Sequence, residues 1–134
     1  MEILATAIPE VKLLRPVYHG DERGYFAEVF NQRRFAEAGL PHAFVQDNHS
    51  RSATRGTLRG LHFQTPPLAQ TKLVRVLKGA VLDVAVDLRR GSPTFGQQIR
   101  VELSDGNRLQ VLVPKGFAHG FLTLEPDTEV LYKV

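Results

Sequence analysis

Lys72-Leu73-Val74-Arg75-Val76-Leu77-Lys78-Gly79-Ala80-Val81-Leu82-Asp83-Val84-Ala85-Val86-Asp87-Leu88 is the stretch whose reading decides the fold. It holds two runs rich in Val and Leu, Lys72 to Leu77 and Val81 to Leu88, parted at Gly79. Each has strand length, and β-branched side chains suit a pleated surface. The pattern continues on the C-terminal side through Gln97 to Leu103, Leu109 to Pro114, Gly120 to Leu124 and Glu129 to Val134. The turns between them fall at Gly91-Ser92-Pro93, at Ser104-Asp105-Gly106-Asn107 and at Glu125-Pro126-Asp127. Short strands at this spacing predict an all-β sandwich or barrel, and the Asp105-Gly106 pair predicts a hairpin between its flanking strands. Within the first run, Lys72, Val74 and Val76 share one face while Leu73, Arg75 and Leu77 share the other. Asp83 and Asp87 interrupt an otherwise apolar strand, where an unpaired carboxylate is costly, so both are expected to have partners.

On the N-terminal side one helix is expected. Asn31 caps a short turn through Arg33-Arg34-Phe35-Ala36-Glu37-Ala38, stopped by Gly39 and then by Pro41. No internal repeat, low-complexity segment or linker divides the chain, and its 134 residues fit a single domain. With no cysteine there can be no disulfide, thiolate nucleophile or Cys-based metal site. No apolar run approaches the roughly 20 residues a membrane span needs, and Met1-Glu2-Ile3-Leu4 lacks a signal-peptide pattern, so the expected setting is cytoplasmic with no membrane partner. A net charge of +3 is spread along the chain rather than gathered, which points to a few cations facing a phosphorylated small molecule and not to nucleic acid. The final Tyr132-Lys133-Val134 lies inside an apparent strand, so a C-terminally truncated chain is expected.

The chemistry is concentrated in Arg59-Gly60-Leu61-His62-Phe63-Gln64 and in Lys72, a base and a cation expected on adjacent strands. A neutral imidazole can take an acidic C–H proton while an ammonium stabilises the enolate oxygen left behind. In an ideal strand His62 shares its face with Gly60 and Gln64, and Arg59 points the other way; a bulge at Gly60 would bring Arg59 round. Pro114-Lys115-Gly116-Phe117-Ala118-His119 is similar to the second cupin motif, a tight turn that aims a histidine into a jelly-roll barrel. The positions matching the first cupin motif read His62, Gln64 and Lys72, with Gly79 in place. A glutamine is a poor metal ligand and a lysine puts positive charge where a divalent ion needs a carboxylate, so acid–base machinery is expected in place of metal.

Gly20-Asp21-Glu22-Arg23-Gly24-Tyr25-Phe26, Phe44-Val45-Gln46-Asp47-Asn48-His49-Ser50 and Leu58-Arg59-Gly60-Leu61-His62-Phe63-Gln64 follow one another in order. So do Lys72-Leu73-Val74-Arg75, Ser92-Pro93-Thr94-Phe95-Gly96, Gly116-Phe117-Ala118-His119-Gly120-Phe121 and Leu131-Tyr132-Lys133. Together they resemble the dTDP-4-dehydrorhamnose 3,5-epimerase family over essentially the whole chain. The resemblance implies a cupin-like jelly-roll barrel and a metal-independent, cofactor-free inversion of C3 and C5 of a thymidine-diphosphate 4-keto-6-deoxyhexose. It implies His62 as base, Lys72 as the cation on the C4 oxyanion and Tyr132 as acid. Arg23, Phe26, Glu28, Gln46, Asn48 and Arg59 fall in segments that hold the nucleotide, with Arg59 on the diphosphate. His119 is either a pocket-lining residue near sugar or phosphate or a structural histidine of the cupin turn. The family's partner for the base histidine comes from a more C-terminal region; within this chain Asp83 is the candidate orienter of His62. The resemblance further implies a homodimer whose N-terminal strands cross between subunits. Enzymes that invert C3 alone or C5 alone, and a catalytically silent sugar-nucleotide-binding cupin, share enough of these features to stand as alternatives.

Overall fold

The computed structural model describes all 134 residues. Twelve strands and one short helix follow in the order β1 (Glu2–Ala5), β2 (Lys12–Arg15), β3 (Tyr18–Asp21), β4 (Gly24–Ala27), α1 (Gln32–Glu37), β5 (Asp47–Ser52), β6 (Leu58–His62), β7 (Lys72–Lys78), β8 (Ala80–Asp87), β9 (Gln98–Ser104), β10 (Gln110–Val113), β11 (Phe117–Thr123) and β12 (Thr128–Lys133). They form a six-stranded sheet ordered β1-β2-β10-β7-β12-β5, a four-stranded sheet ordered β6-β11-β8-β9, and a separate β3–β4 hairpin. The all-β class expected from the sequence is the one observed, as a two-layer antiparallel sandwich.

The core lies between the two large sheets and follows strand parity. Val74 and Val76 of β7, with Val111 and Val113 of β10 and Val130 of β12, meet Val81, Ala85, Ile99, Leu103, Phe117 and Phe121 from the smaller sheet. Leu73 points the other way, into a second cluster with Leu14, Leu112, Phe35 and Leu40 on the outer face of the six-stranded sheet. Helix α1 covers that outer face. Asn31 caps it as expected, its Oδ1 accepting from Arg34 N at 3.2 Å, and Gly39 leaves it with φ +78°. Phe35 is the helix residue that is buried, packed edge-on against Phe30 at 4.9 Å between ring centroids. Truncating such a side chain costs on the order of 3–5 kcal/mol, enough to release a helix this short.

Two corners carry the chain between the sheets. At Gly79, the turn expected between the two runs, β7 belongs to the larger sheet and β8 to the smaller. Gly79 makes that crossing with φ +80°, and a Cβ there would stand 2.6 Å from Thr128 Oγ1. Asp105-Gly106 does not close the hairpin expected there: β9 pairs with β8, whereas β10 pairs with β2 and β7. The side chain of Asn107 explains the difference, since its Oδ1 accepts from the backbone N–H of both Ser104 and Leu109 at 3.1 Å and turns the chain out of its sheet. The two crossings are tied together, Gly79 N–H donating to Asp105 Oδ2 at 3.0 Å and Asp105 N–H to Gly79 O at 3.1 Å. No helix of the chain is long and apolar enough to cross a membrane.

Candidate active site

The site begins with two glycines. Strand β6 pairs with β11 so that His62 faces His119 and Arg59 faces Phe121, which leaves three steps on β6 against two on β11. The bulge anticipated at Gly60 is therefore present. A Cβ on Gly60 would lie 2.7 Å from His119 O, and one on Gly120 would lie 2.6 Å from Arg59 O, so the close approach of the two backbones requires glycine on both sides. The extra residue changes the parity of β6 and puts both Arg59 and His62 on the walls of one cleft.

The opposite wall comes from the larger sheet. Lys72 opens β7 on the face shared with Val74, and Tyr132 of β12 stands directly across the ladder from Val74. The Lys72 ammonium sits 5.9 Å from the centre of the Tyr132 ring. The cleft between these walls has a volume of about 490 Å3 and is also lined by His119, Phe121 and Ser50. His62 and Lys72 thus face one another from opposite sheets rather than occupying adjacent strands, because the chain changes sheet between them. The consequence is chemical: proton-transferring groups stand on two sides of any molecule held in the gap.

The charges are arranged around Asp83. This carboxylate is 1% exposed, and its Oδ2 accepts from Nε2 of the equally buried His119 at 2.8 Å. Asp83 is consequently the partner of His119 and not the orienter expected for His62, which stands exposed at the cleft mouth. The reason is register: His119 pairs with Ala85 on the neighbouring strand, which places its ring beside Asp83 on the inner face of β8. The other oxygen, Oδ1, is buried with no hydrogen-bond partner. Burial pushes the Lys72 ammonium below the ordinary lysine range, and the charge of Asp83 acts in the opposite direction. Arg59 is held across the sheets, donating through Nε to Ser52 Oγ at 3.0 Å and through Nη2 to Arg51 O at 3.1 Å. No group of three or more His, Asp or Glu side chains is placed to hold a metal ion.

The remaining expected residues lie elsewhere. Arg23 and Phe26 are on the exposed β3–β4 hairpin and line a separate depression with Asp21 and Tyr25. Arg23 Nε donates to Asp21 Oδ2 at 3.1 Å, and that ion pair holds the carboxyl below its usual range. Glu28 is engaged beside the helix cap, 3.1 Å from Arg34 and accepting from Asn31 Nδ2 at 3.1 Å. Gln46 donates to Asn48 Oδ1 at 2.8 Å along the edge strand β5. Asn48 pairs with the cleft residue Tyr132 across the β5–β12 ladder, whereas the hairpin group has no residue in the cleft lining. Ser50 is a polar cleft residue not expected from the sequence. Its hydroxyl is buried without a partner, and the signal was available, since Ser50 lies two residues from Asn48 and so on its face of β5.

A sandwich that sets side chains able to transfer protons on both walls of one cleft, with a cation beside one of them, has the make-up of an isomerase. The chain belongs to the dTDP-4-dehydrorhamnose 3,5-epimerase family, whose model matches residues 5–134. It is 58% identical over 134 residues to the dTDP-4-dehydrorhamnose 3,5-epimerase of Pseudomonas aeruginosa, spanning 99% of this chain and 73% of that protein. The crystal structure of the Bacillus anthracis dTDP-4-dehydrorhamnose 3,5-epimerase with TDP and PPi bound is similar with a TM-score of 0.96 and 54% identity, covering 98% of this chain and 75% of that one. That of the Legionella pneumophila dTDP-6-deoxy-D-glucose-3,5-epimerase in complex with dTDP-4-keto-L-rhamnose gives a TM-score of 0.94 at 52% identity, over 98% and 70% of the two chains.

Proposed function

We propose that this chain inverts C3 and C5 of dTDP-4-dehydro-6-deoxy-D-glucose to give dTDP-4-dehydro-L-rhamnose. The observation that carries the reading is the placement of His62 and Tyr132 on facing walls with Lys72 beside the tyrosine. The C4 ketone acidifies the neighbouring C–H bonds. His62 removes the proton from one face, the electron pair moves onto the C4 oxygen, and the Lys72 ammonium stabilises the enolate. Tyr132 then delivers its phenolic proton to the same carbon from the opposite face. General acid–base groups of this kind contribute roughly 10²- to 10⁴-fold each, and one preorganised donor on the developing oxyanion about 10²- to 10³-fold. The ammonium and the phenol supply this without a metal or organic cofactor in the scheme.

Arg59, held by Ser52 and by the Arg51 carbonyl, is suited to the diphosphate, which a guanidinium matches in a bidentate way. Arg23, Phe26, Glu28, Gln46 and Asn48 are assigned to the nucleotide and His119 to a place near the sugar. The separation of the hairpin residues from the cleft within one chain supports a homodimer in which N-terminal strands cross to complete the neighbour's site. The jelly-roll description of the sandwich and a cytoplasmic setting belong to the same proposal. Incubation with dTDP-4-dehydro-6-deoxy-D-glucose in deuterated water tests it: label should appear at both C3 and C5 of an L-configured product. Label at one carbon alone would make the chain a mono-epimerase, and bound substrate without label would make it a silent binding protein.

A further inference from the structure

The β3–β4 hairpin is joined by strand pairing to neither large sheet, although it carries Arg23 and Phe26. Its attachment comes from a distant part of the sequence. Arg108, in the connection between β9 and β10, places its guanidinium 4.4 Å from the centre of the Tyr18 ring on β3 and 4.7 Å from that of Tyr25 on β4. The two rings meet edge to face at 4.8 Å between centroids, so one cation is shared by an aromatic pair drawn from both strands of the hairpin.

The residue is presented from a prepared turn. Arg108 adopts φ +57°, uncommon for a side chain other than glycine, and its N–H donates to Ser104 O at 3.0 Å. Asn107 beside it fixes Ser104 and Leu109 from one side-chain oxygen and donates through Nδ2 to Glu102 O at 2.8 Å. Just beyond, Gln110 donates to Val29 O at 3.0 Å, securing the chain two residues past the hairpin. The guanidinium is thus aimed by a rigid corner of the sandwich at the one element that the sheets leave unpaired. A planar guanidinium stacks on aromatic faces better than a compact ammonium does.

We infer that Arg108 is a positioning residue for nucleotide binding, which clamps the Tyr18–Tyr25 pair and thereby fixes the hairpin that offers Arg23 and Phe26 to a nucleoside diphosphate. The inference rests on the assignment of Arg23 to the nucleotide. Steady-state kinetics on the 4-keto-sugar nucleotide, with dTDP as a competing ligand, test both points separately. Arg108→Ala and Arg108→Met should each raise KM and the dTDP inhibition constant roughly fivefold, the scale of a cation–π contact with two rings. Their kcat should stay within about twofold, and Arg108→Lys should fall between wild type and Ala. Arg23→Ala should raise KM further, and adding Arg108→Ala to it should change little, because the second residue acts through the first. If Arg23→Ala leaves KM unaltered, the assignment of Arg23 is wrong. If Arg23→Ala raises KM while Arg108→Ala and Arg108→Met leave it at the wild-type value, or if the two effects simply add, Arg108 does not position the hairpin. A fall in thermal midpoint with unchanged KM would mark it as a structural residue only.

Discussion

The two ends of β8 handle the same problem in opposite ways. Asp83 and Asp87 stand four residues apart on the inner face of one strand, with 1% and 0% of their surfaces exposed. At the loop end, Asp87 accepts from Arg89 Nε at 2.9 Å, Arg89 NH2 at 2.8 Å, Ser92 Oγ at 2.7 Å and Thr94 Oγ1 at 2.6 Å. Arg89 is shared onward with Glu10 at 2.7 Å and lies over the Phe117 ring at 4.8 Å. At the cleft end, Asp83 has His119 on one oxygen and nothing on the other. A buried polar atom left unpaired costs on the order of 1–3 kcal/mol. The closed network stabilises the fold and offers no atom to a ligand; the open one gives up stability and keeps a negative charge facing Lys72. The difference separates a staple from a working site, although in sequence both are an aspartate in an apolar strand.

The largest effect that would test this contrast is on stability. Asp87→Ala leaves the part-buried Arg89 with Glu10 alone and strips Ser92 and Thr94 of their acceptor, which costs on the order of 1–3 kcal/mol, while kcat of the folded fraction should be unchanged. The guanidinium of Arg89 beside Asp87 is the main cause holding its carboxyl well below the ordinary 3.8. Its contribution is therefore fully present above that pH and is lost as pH falls through the depressed folded value. Urea titrations between neutral pH and pH 3 should show an acid loss of stability in the wild type that is smaller in Asp87→Asn.

At the cleft end the expected loss is in turnover. Lys72→Met should lower kcat at least a hundredfold with little change in melting temperature, because it deletes the charge facing the enolate oxygen. Equal loss of stability in this variant and in Asp87→Ala would erase the distinction between the two ends. A subtler effect concerns Asp83. Burial lowers the Lys72 pKa from its ordinary 10.5 and Asp83 opposes that shift. In the proposed mechanism the ammonium is the working form, so activity should fall as pH rises through the lowered value, with the limb beginning below the ordinary lysine range. Asp83→Asn removes the opposing charge and should move that alkaline limb of kcat/KM to still lower pH. A limb that stays in place would show that Asp83 does not reach Lys72.

Much of this was legible before the fold was known, where a local rule governed. The Asn31 cap, the Gly39 stop and the face shared by Lys72 and Val74 depend on neighbours close in sequence and were read correctly. The expectation that both aspartates have partners also held, in full for Asp87 and by half for Asp83. What failed depends on which sheet a strand joins. The Asp105-Gly106 corner looks like a hairpin turn, but the hydrogen bonds of Asn107 send the chain across the sandwich, as the turn at Gly79 against Thr128 does for β7 and β8. A further change of sheet, between His62 and Lys72, sets those two side chains on opposite walls, and the β8–β11 register gives Asp83 to His119. Strands β1 to β5 escaped notice because they are short and mostly exposed; Tyr18–Asp21 and Gly24–Ala27 bury nothing that would set a period. Gly60 lies between these cases, since a glycine in a strand points to a bulge without saying which way its neighbours turn.

The central claim is that the two walls of the cleft perform opposite halves of one proton transfer, and Tyr132→Phe tests it with the loss of a single hydroxyl. In deuterated water the variant should still exchange label into the 4-keto sugar with retained configuration, because His62 can remove and return a proton on its own face, while epimer formation falls steeply. Exchange and inversion should therefore separate, as read by proton NMR of recovered substrate and product. If exchange and inversion fall in equal proportion, or if neither changes, Tyr132 is not the acid and the account of the facing walls is contradicted.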